Sequence, residues 1–164
     1  MAIRAQAPLF EEKVSLRLVD LVLQYTRKLT KKAPQKGRFR DFYLEESASF
    51  SNQRAAIVQV QGMIEGRVII SAPKEMLVHF AGFVLGAENV NEHAANAILA
   101  DIANTITCNG STVVGNDYQF SAPEVILNYN AVAEHKLKFP LQAAPFHWFG
   151  YKGYIIFEKA QPLA

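Results

Sequence analysis

The sequence lacks several features that would assign it to a membrane, extracellular or nucleic-acid-binding class. Cys108 is the only cysteine, so no disulfide can form within the chain. No apolar run approaches the roughly 20 residues of a membrane-spanning helix or resembles a signal peptide. The formal charge is only +2, and no basic stripe alternates with aromatic residues. We therefore expect a cytoplasmic protein that binds neither a membrane nor nucleic acid.

Patterns typical of metal, nucleotide and thiol chemistry are also missing. The four histidines are widely separated and show no His-x3-His spacing: His79, His93, His135 and His147. Gly62-x-x-x-Gly66 is not followed by the Lys-Ser/Thr of a phosphate-binding loop. Cys108 has no basic partner nearby in the sequence, so we interpret it as a small filler residue. The basic run at 27–40 is typical of a solvated helix end, although contact with phosphates or lipid headgroups stays an alternative.

What is present indicates one folded domain. The 164 residues are half hydrophobic and one fifth charged, so we expect a single domain over residues 1–164. Hydrophobic periodicity, proline and glycine predict the elements in chain order. They are a helix at 11–32, a strand hairpin at 56–61 and 67–71, helices at 74–85 and 91–114, a strand at 125–127, and strands at 135–141 and 151–158 joined by a loop at 142–150. This order predicts an α/β fold in which helices cover a mixed, largely antiparallel sheet.

The helix at 91–114 has an unusual outer face. An apolar stripe marks its buried side: Ala95, Ile98, Leu99, Ile102, Ile106 and Val113. Asn104 points away from this stripe, and Asp101 lies one turn earlier on its flank. The positions around Asn104 are small: Ala97, Ala100, Thr105, Thr107 and Cys108. Small side chains let another surface approach the helix, but the same pattern also fits an Asn104 that bonds a neighbouring loop.

Three segments in order resemble the CheC, CheX and FliY chemotaxis phosphatases. The run Asp101-Ile-Ala-Asn104-Thr-Ile-Thr-Cys-Asn109-Gly is similar to the family helix with its Glu-x-x-Asn signature. The run Tyr118-Gln-Phe-Ser-Ala-Pro123-Glu-Val-Ile126 resembles the strand with a proline before aliphatic residues. Upstream, the hairpin around Gly62 and Gly66 and the helix ending at Leu85-Gly86 are also similar.

The resemblance implies an activity and a partner. Family members remove the phosphoryl group from an aspartyl phosphate of the response regulator CheY, which itself holds Mg²⁺, so the protein needs no cofactor of its own. Asn104 would orient the water, and Asp101 would pair with a lysine of the regulator. Ala97, Ala100, Thr105 and Cys108 would contact the partner. The chain has one copy of the motif, as CheX-type members do, which implies a homodimer.

The chain departs from the family pattern at three points. Asp101 replaces the family Glu, Ala97 replaces the usual Asp or Ser, and the spacing from Asn104 to Pro123 is shorter. A non-catalytic module that binds a receiver domain is therefore the alternative function. Separately, we expect the aromatic residues of the segment at 142–150 either to form a binding or dimer surface or to cover the end of the sheet: Phe146, Trp148 and Phe149.

Overall fold

The computed structural model describes residues 11–43, 45–46, 53–62, 65–86, 90–129 and 141–159. The helices are α1 (Glu12–Thr30), α2 (Lys74–Leu85) and α3 (Glu92–Val114). The strands are β1 (Gln35–Lys36), β2 (Arg40–Phe42), β3 (Gln53–Gly62), β4 (Gly66–Ala72), β5 (Tyr118–Phe120), β6 (Glu124–Tyr129), β7 (Leu141–Trp148) and β8 (Tyr151–Lys159). No helix in these ranges is long and apolar enough to cross a membrane.

The strands form one sheet in the order β1-β7-β8-β4-β3-β5. β2 also pairs with β7 at one edge, and β6 also pairs with β3 at the other. Every pairing among the described strands is antiparallel. The predicted combination of helices with a largely antiparallel sheet is confirmed.

The three helices pack on one face of this sheet. Val58, Ile70 and Ile155 belong to the cluster that faces the helices, whereas Ile57 and Ile69 face the other side. Successive residues of a strand point to opposite faces, so an apolar run fills both sides. The sequences of the central strands are therefore continuously hydrophobic and do not alternate between apolar and polar residues.

The predicted helix ends agree closely with the structure because local capping residues determine them. α2 spans Lys74–Leu85 as predicted, and Gly86 ends it in the left-handed conformation (φ 62°). α3 begins after Asn91, whose side chain accepts a hydrogen bond from the Ala94 N–H at 2.9 Å. α1 is slightly shorter than the predicted 11–32 because Lys31 already adopts φ 62°.

The predicted loop at 142–150 is wrong. Residues Leu141–Trp148 form β7, and Phe149-Gly150 alone makes the turn to β8. Pro145 suggested a loop, because proline cannot donate to a strand ladder. It is accommodated where the outer neighbours of β7 are interrupted, since β2 pairs with residues 141–143 and β1 with 146–147. The rest of the predicted strand at 135–141, up to residue 140, lies outside the described residues.

Candidate functional site on helix α3

The N-terminal end of α3 is fixed by ionic and hydrogen-bond contacts with the sheet and α2. Arg54, which is buried at the start of β3, donates to Asn96 Oδ1 at 2.5 Å and lies 3.3 Å from Glu92 Oε1. Lys74 Nζ lies 2.5 Å from the same Glu92 oxygen. Hydrogen bonds from a charged side chain are short and directional, so these contacts orient the first turn of the helix. The beginning of α3 is therefore tied to two other elements.

The C-terminal half of α3 is held against β5 and the segment after it. Thr107 Oγ1 donates to the Ser121 carbonyl at 2.6 Å, and Ser111 Oγ donates to the Tyr118 carbonyl at 2.8 Å. Thr107 and Ser111 are half-buried. The Thr107 hydroxyl therefore binds neighbouring backbone, and fewer side chains of the predicted outer face are free to contact a partner than the sequence indicated.

Helix α1 lies beside α3 and runs in the opposite direction. Arg17 Nη1, near the start of α1, donates to the Val113 carbonyl at the end of α3 at 3.0 Å. Tyr25, near the other end of α1, lies close enough to Asp101 for the carboxylate charge to affect its hydroxyl group. Partial burial, and to a smaller extent the Asp101 carboxylate, raise the pKa of Tyr25. Sequence reasoning missed Tyr25, because the packing of α1 on α3 leaves no local signal.

Asn104 is exposed in the middle of α3. Its Nδ2 donates to Cys108 Sγ at 3.3 Å, one helical turn further along. Within the described ranges Oδ1 has no hydrogen-bond partner, and no neighbouring loop binds this amide. Sulfur is a weak acceptor, so the contact orients the amide without occupying it fully. The side chain is therefore available to a molecule that approaches this face.

Asp101 is also exposed, one turn before Asn104. It forms no ion pair or hydrogen bond with the residues that the structure describes. An unpaired carboxylate beside an exposed amide can receive a cation from a partner surface at little desolvation cost. The two predicted catalytic side chains thus lie on the same accessible surface.

The small residues divide into exposed and buried ones. Ala97 and Cys108 are exposed, and Ala100 is half-buried. Thr105 is only 6% exposed, and its Oγ1 accepts a hydrogen bond from Asn109 Nδ2 at 3.4 Å. The prediction that Thr105 faces a partner is wrong in this structure. Position 105 falls about 60° from Ile102 around the helix, at the edge of the buried stripe.

No three His, Cys, Asp or Glu side chains within the described ranges are grouped to hold a metal ion. The groups that the exposed face of α3 offers are an amide, a carboxylate and the small side chains around them. These groups can orient a water and dock a cation.

A comparison with known families matches residues 54–147, more than half of the chain, to the family described as chemotaxis phosphatase CheX. The chain belongs to the CheX family. The matched segment contains all of α3 together with the β3–β4 hairpin apart from Gln53. The family resemblance inferred from three segments of the sequence is confirmed.

Solved structures show the same fold at low sequence identity. A CheC-like superfamily protein from Shewanella sp. PV-4 is 14% identical with a TM-score of 0.75, over 93% of this chain and 100% of that chain. CheX from Desulfovibrio desulfuricans is 14% identical with a TM-score of 0.72, over 90% and 99% of the two chains. CheX from Borrelia burgdorferi, solved in complex with CheY, BeF3 and Mg²⁺, is 16% identical with a TM-score of 0.70, over 90% and 98%. No curated protein matches the sequence.

Proposed function

We propose that this CheX-family protein hydrolyses the aspartyl phosphate of a CheY-like receiver domain. The observation that carries the proposal is the exposed Asn104 in the middle of α3, with Oδ1 unpartnered and Asp101 one turn away. The side chains beside Asn104 on this face, Ala97, Ala100 and Cys108, are small enough to let the phosphorylated surface of a receiver approach the helix.

The reaction needs few groups from this chain. The water oxygen attacks phosphorus, the bond from phosphorus to the receiver's aspartate oxygen breaks, and the aspartate leaves as a carboxylate. The water protons pass to the released phosphate and to solvent. Phosphoryl transfer depends mainly on positioning and electrostatics. We expect the receiver to supply Mg²⁺, as the complex of Borrelia CheX with CheY contains it.

Asn104 is suited to orient the attacking water. An amide oxygen accepts a hydrogen bond from water, and this aligns the lone pair of the water oxygen with phosphorus. Because Nδ2 donates to Cys108 Sγ, Oδ1 is the amide atom that remains free to accept a hydrogen bond from water. We assign the Asn104 amide to water orientation and Cys108 to the surface beside it.

Asp101 is assigned to docking. A carboxylate that pairs with a receiver lysine fixes the register of two surfaces more than it increases their affinity. Ala97, Ala100 and Cys108 would then lie under the docked receiver. Thr105 is excluded from this contact by its burial.

A non-catalytic receiver-binding module is the second candidate, and Asp101 is the observation that favours it. Its carboxylate is one methylene shorter than the family Glu, and displacement of about 1 Å can cost about 10²-fold in a positioned reaction. The same exposed face would serve binding without turnover.

We also propose that the protein is a cytoplasmic homodimer joined through its sheet. A small sheet leaves edge strands whose backbone groups can pair with a second copy. Sedimentation velocity tests this proposal. A single species at the dimer mass supports it, and a monomer at all concentrations contradicts it.

The deciding experiment uses CheY-like receiver domains encoded in the same genome, bound to Mg²⁺ and phosphorylated with an acyl phosphate. It measures the release of phosphate from these receivers. We expect the native protein to accelerate release and Asn104→Ala to abolish the acceleration. The matched control is Asn109→Ala, another exposed asparagine on α3 that faces a different direction. Receivers that bind the native protein but decay at their own rate would identify the non-catalytic module instead.

A further inference from the structure

A second surface of the molecule carries exposed apolar side chains where α2 ends beside the β7–β8 turn. Phe83 is 45% exposed, Val84 36%, Leu85 58% and Phe149 45%. The exposed His79 ring joins them, with its centroid 5.4 Å from that of Phe83 and 5.2 Å from that of Phe149. We call these five residues the α2-end cluster.

The aromatic rings of this cluster pack against one another and against a buried pair of rings, which restricts their motion. The centroids of Phe83 and Phe149 are 5.4 Å apart, and that of Trp148 is 4.5 Å from Phe149. Trp148 is buried and stacks on the buried Phe80 at 4.1 Å. Side chains that are already ordered lose little conformational entropy on binding. Fixed, half-exposed rings on a rigid base are typical of protein-binding surfaces.

The backbone at Phe149 indicates that its ring has a role beyond the turn. Phe149 (φ 50°) and Gly150 (φ 82°) form the two-residue turn, both in the left-handed region. Asn and Asp are the preferred residues at the first such position, because a larger side chain is strained there. A phenylalanine does not suit this turn, and the residue stays 45% exposed although its ring contacts Trp148.

Positive charge borders the cluster on the side of α1. Lys32 Nζ lies 5.2 Å from the centre of the Phe149 ring, and Lys31 precedes it at the helix end. Both lysines are exposed, and neither pairs with an acidic group of the described residues. The acidic residue of α2, Glu75, lies in its first turn, about 12 Å along the helix axis from Phe83.

The cluster lies away from the Asn104 face. The middle of α2 packs over β7 through the stack of Phe80 on Trp148, whereas α3, which also packs on α2, contacts β3 and β5. β8 and β4 separate β7 from β3 in the sheet, a distance of about 14 Å. A partner bound at the α2 end would therefore leave Asn104 accessible.

We propose that the α2-end cluster is a docking surface for an acidic protein segment. Aliphatic or aromatic side chains of the segment would cover Phe83 and Phe149, and its carboxylates would face Lys31 and Lys32. The geometry favours a protein over a lipid surface, because the rings pack against one another and are about half buried. Insertion at a bilayer surface needs apolar side chains that project from the protein.

A display library of random peptides tests this proposal. The full chain serves as bait, and peptides that also bind Phe149→Asn are removed. Asparagine suits the turn, so this variant should unfold at or above the native temperature while it lacks the ring. We expect the selected peptides to be rich in Asp and Glu together with Leu, Ile or Phe.

Titration of a selected peptide then measures the contribution of each group. The chain has a single tryptophan, Trp148, whose fluorescence reports on the neighbouring Phe149 ring. We expect Phe149→Asn to weaken binding at least about tenfold and Lys32→Glu at least about threefold. The matched control is Lys13→Glu, an exposed lysine at the opposite end of α1, which should bind like the native protein.

Several results would overturn the proposal. One is a selection that yields basic peptides, or no peptide that depends on Phe149. Another is co-sedimentation with phosphatidylserine vesicles that Phe149→Asn abolishes, because the surface would then bind lipid. A third is self-association that the same variant abolishes, because the occupant would then be a second copy of the chain.

Discussion

At the scale of single residues, the reach of two side chains decides what the α3 face can do. Asn104 extends one amide, whose nitrogen already contacts Cys108 Sγ and whose oxygen is free. Asp101 extends a carboxylate without a partner in the described part of the chain. The amide is the group that would touch the attacking water, whereas the carboxylate acts through docking. A change at Asn104 should therefore alter the rate of hydrolysis within the complex, whereas a change at Asp101 should alter how the complex forms.

Lengthening Asp101 should improve docking. Asp101→Glu restores the family residue and moves the carboxylate one methylene outward. We therefore expect kcat/KM for a phosphorylated receiver to rise about threefold or more. Asp101→Asn should lower kcat/KM about tenfold and flatten its dependence on salt, because the charge is lost. Steady-state phosphate release at several salt concentrations measures both effects. Equal activity of the native protein and both variants would contradict a docking role for this carboxylate.

At the scale of secondary-structure elements, local signals account for the elements that the sequence predicted. Pro73, Gly86 and Asn91 mark helix ends by conformations and caps that act within a few residues. β7 was missed because Pro145 lies in a strand whose outer neighbours break at that point. Only the tertiary arrangement of β1 and β2 makes that proline acceptable, and no local pattern reports it.

The candidate site likewise combines features that local sequence patterns predict with features that depend on tertiary packing. Helical periodicity placed Asp101 and Asn104 on one exposed surface, as the structure has them. It also placed Thr105 there, because the buried stripe of α3 is broader than the apolar residues alone indicate. The effect of the Asp101 charge on Tyr25 depends on how α1 packs on α3, which periodicity within each helix does not specify.

The N-terminal anchor of α3 should make stability depend on pH in the acidic range. The hydrogen bond from Lys74, and then the charges of Lys74 and Arg54, lower the pKa of Glu92 below its ordinary value of 4.5. A lowered folded-state pKa contributes stability that is fully present above the unfolded-state pKa. That stability is lost as the pH falls through the lower folded-state pKa.

We therefore expect Glu92→Gln to unfold at a lower temperature than the native protein at about pH 6 and at a similar temperature near pH 3. Thermal unfolding followed by circular dichroism across this range measures the difference. The control is Glu75→Gln, an exposed glutamate of α2 with no ion pair among the described residues. A constant gap between native and Glu92→Gln across the whole range would contradict the assignment.

At the scale of the whole molecule, neighbouring strands of the sheet pack so closely at Gly153 that an added side-chain atom has no room. Gly153 of β8 pairs with Phe146 of β7, and the Phe146 ring lies over it. A Cβ at position 153 would be 2.5 Å from Phe146 Cζ and 2.9 Å from the Ser71 carbonyl oxygen of β4. The second neighbour is backbone in the middle of the sheet, so it cannot move without shifting a strand. Three strands therefore constrain this one position.

Gly153→Ala should accordingly lower the free energy of unfolding by about 2 kcal/mol, the usual cost of overpacking a close-packed core. Denaturant titration measures this free energy. The substitution lies in β8 and leaves the side chains of α3 unchanged. Phe146→Leu in the same background should restore part of the loss, because it removes the ring but not the Ser71 contact. The control is Gly82→Ala in α2, where a Cβ meets no atom within 4 Å and should be neutral or stabilise by up to about 1 kcal/mol. If Gly153→Ala were as stable as the native chain, the packing of β8 between β7 and β4 would have to be looser than the structure shows.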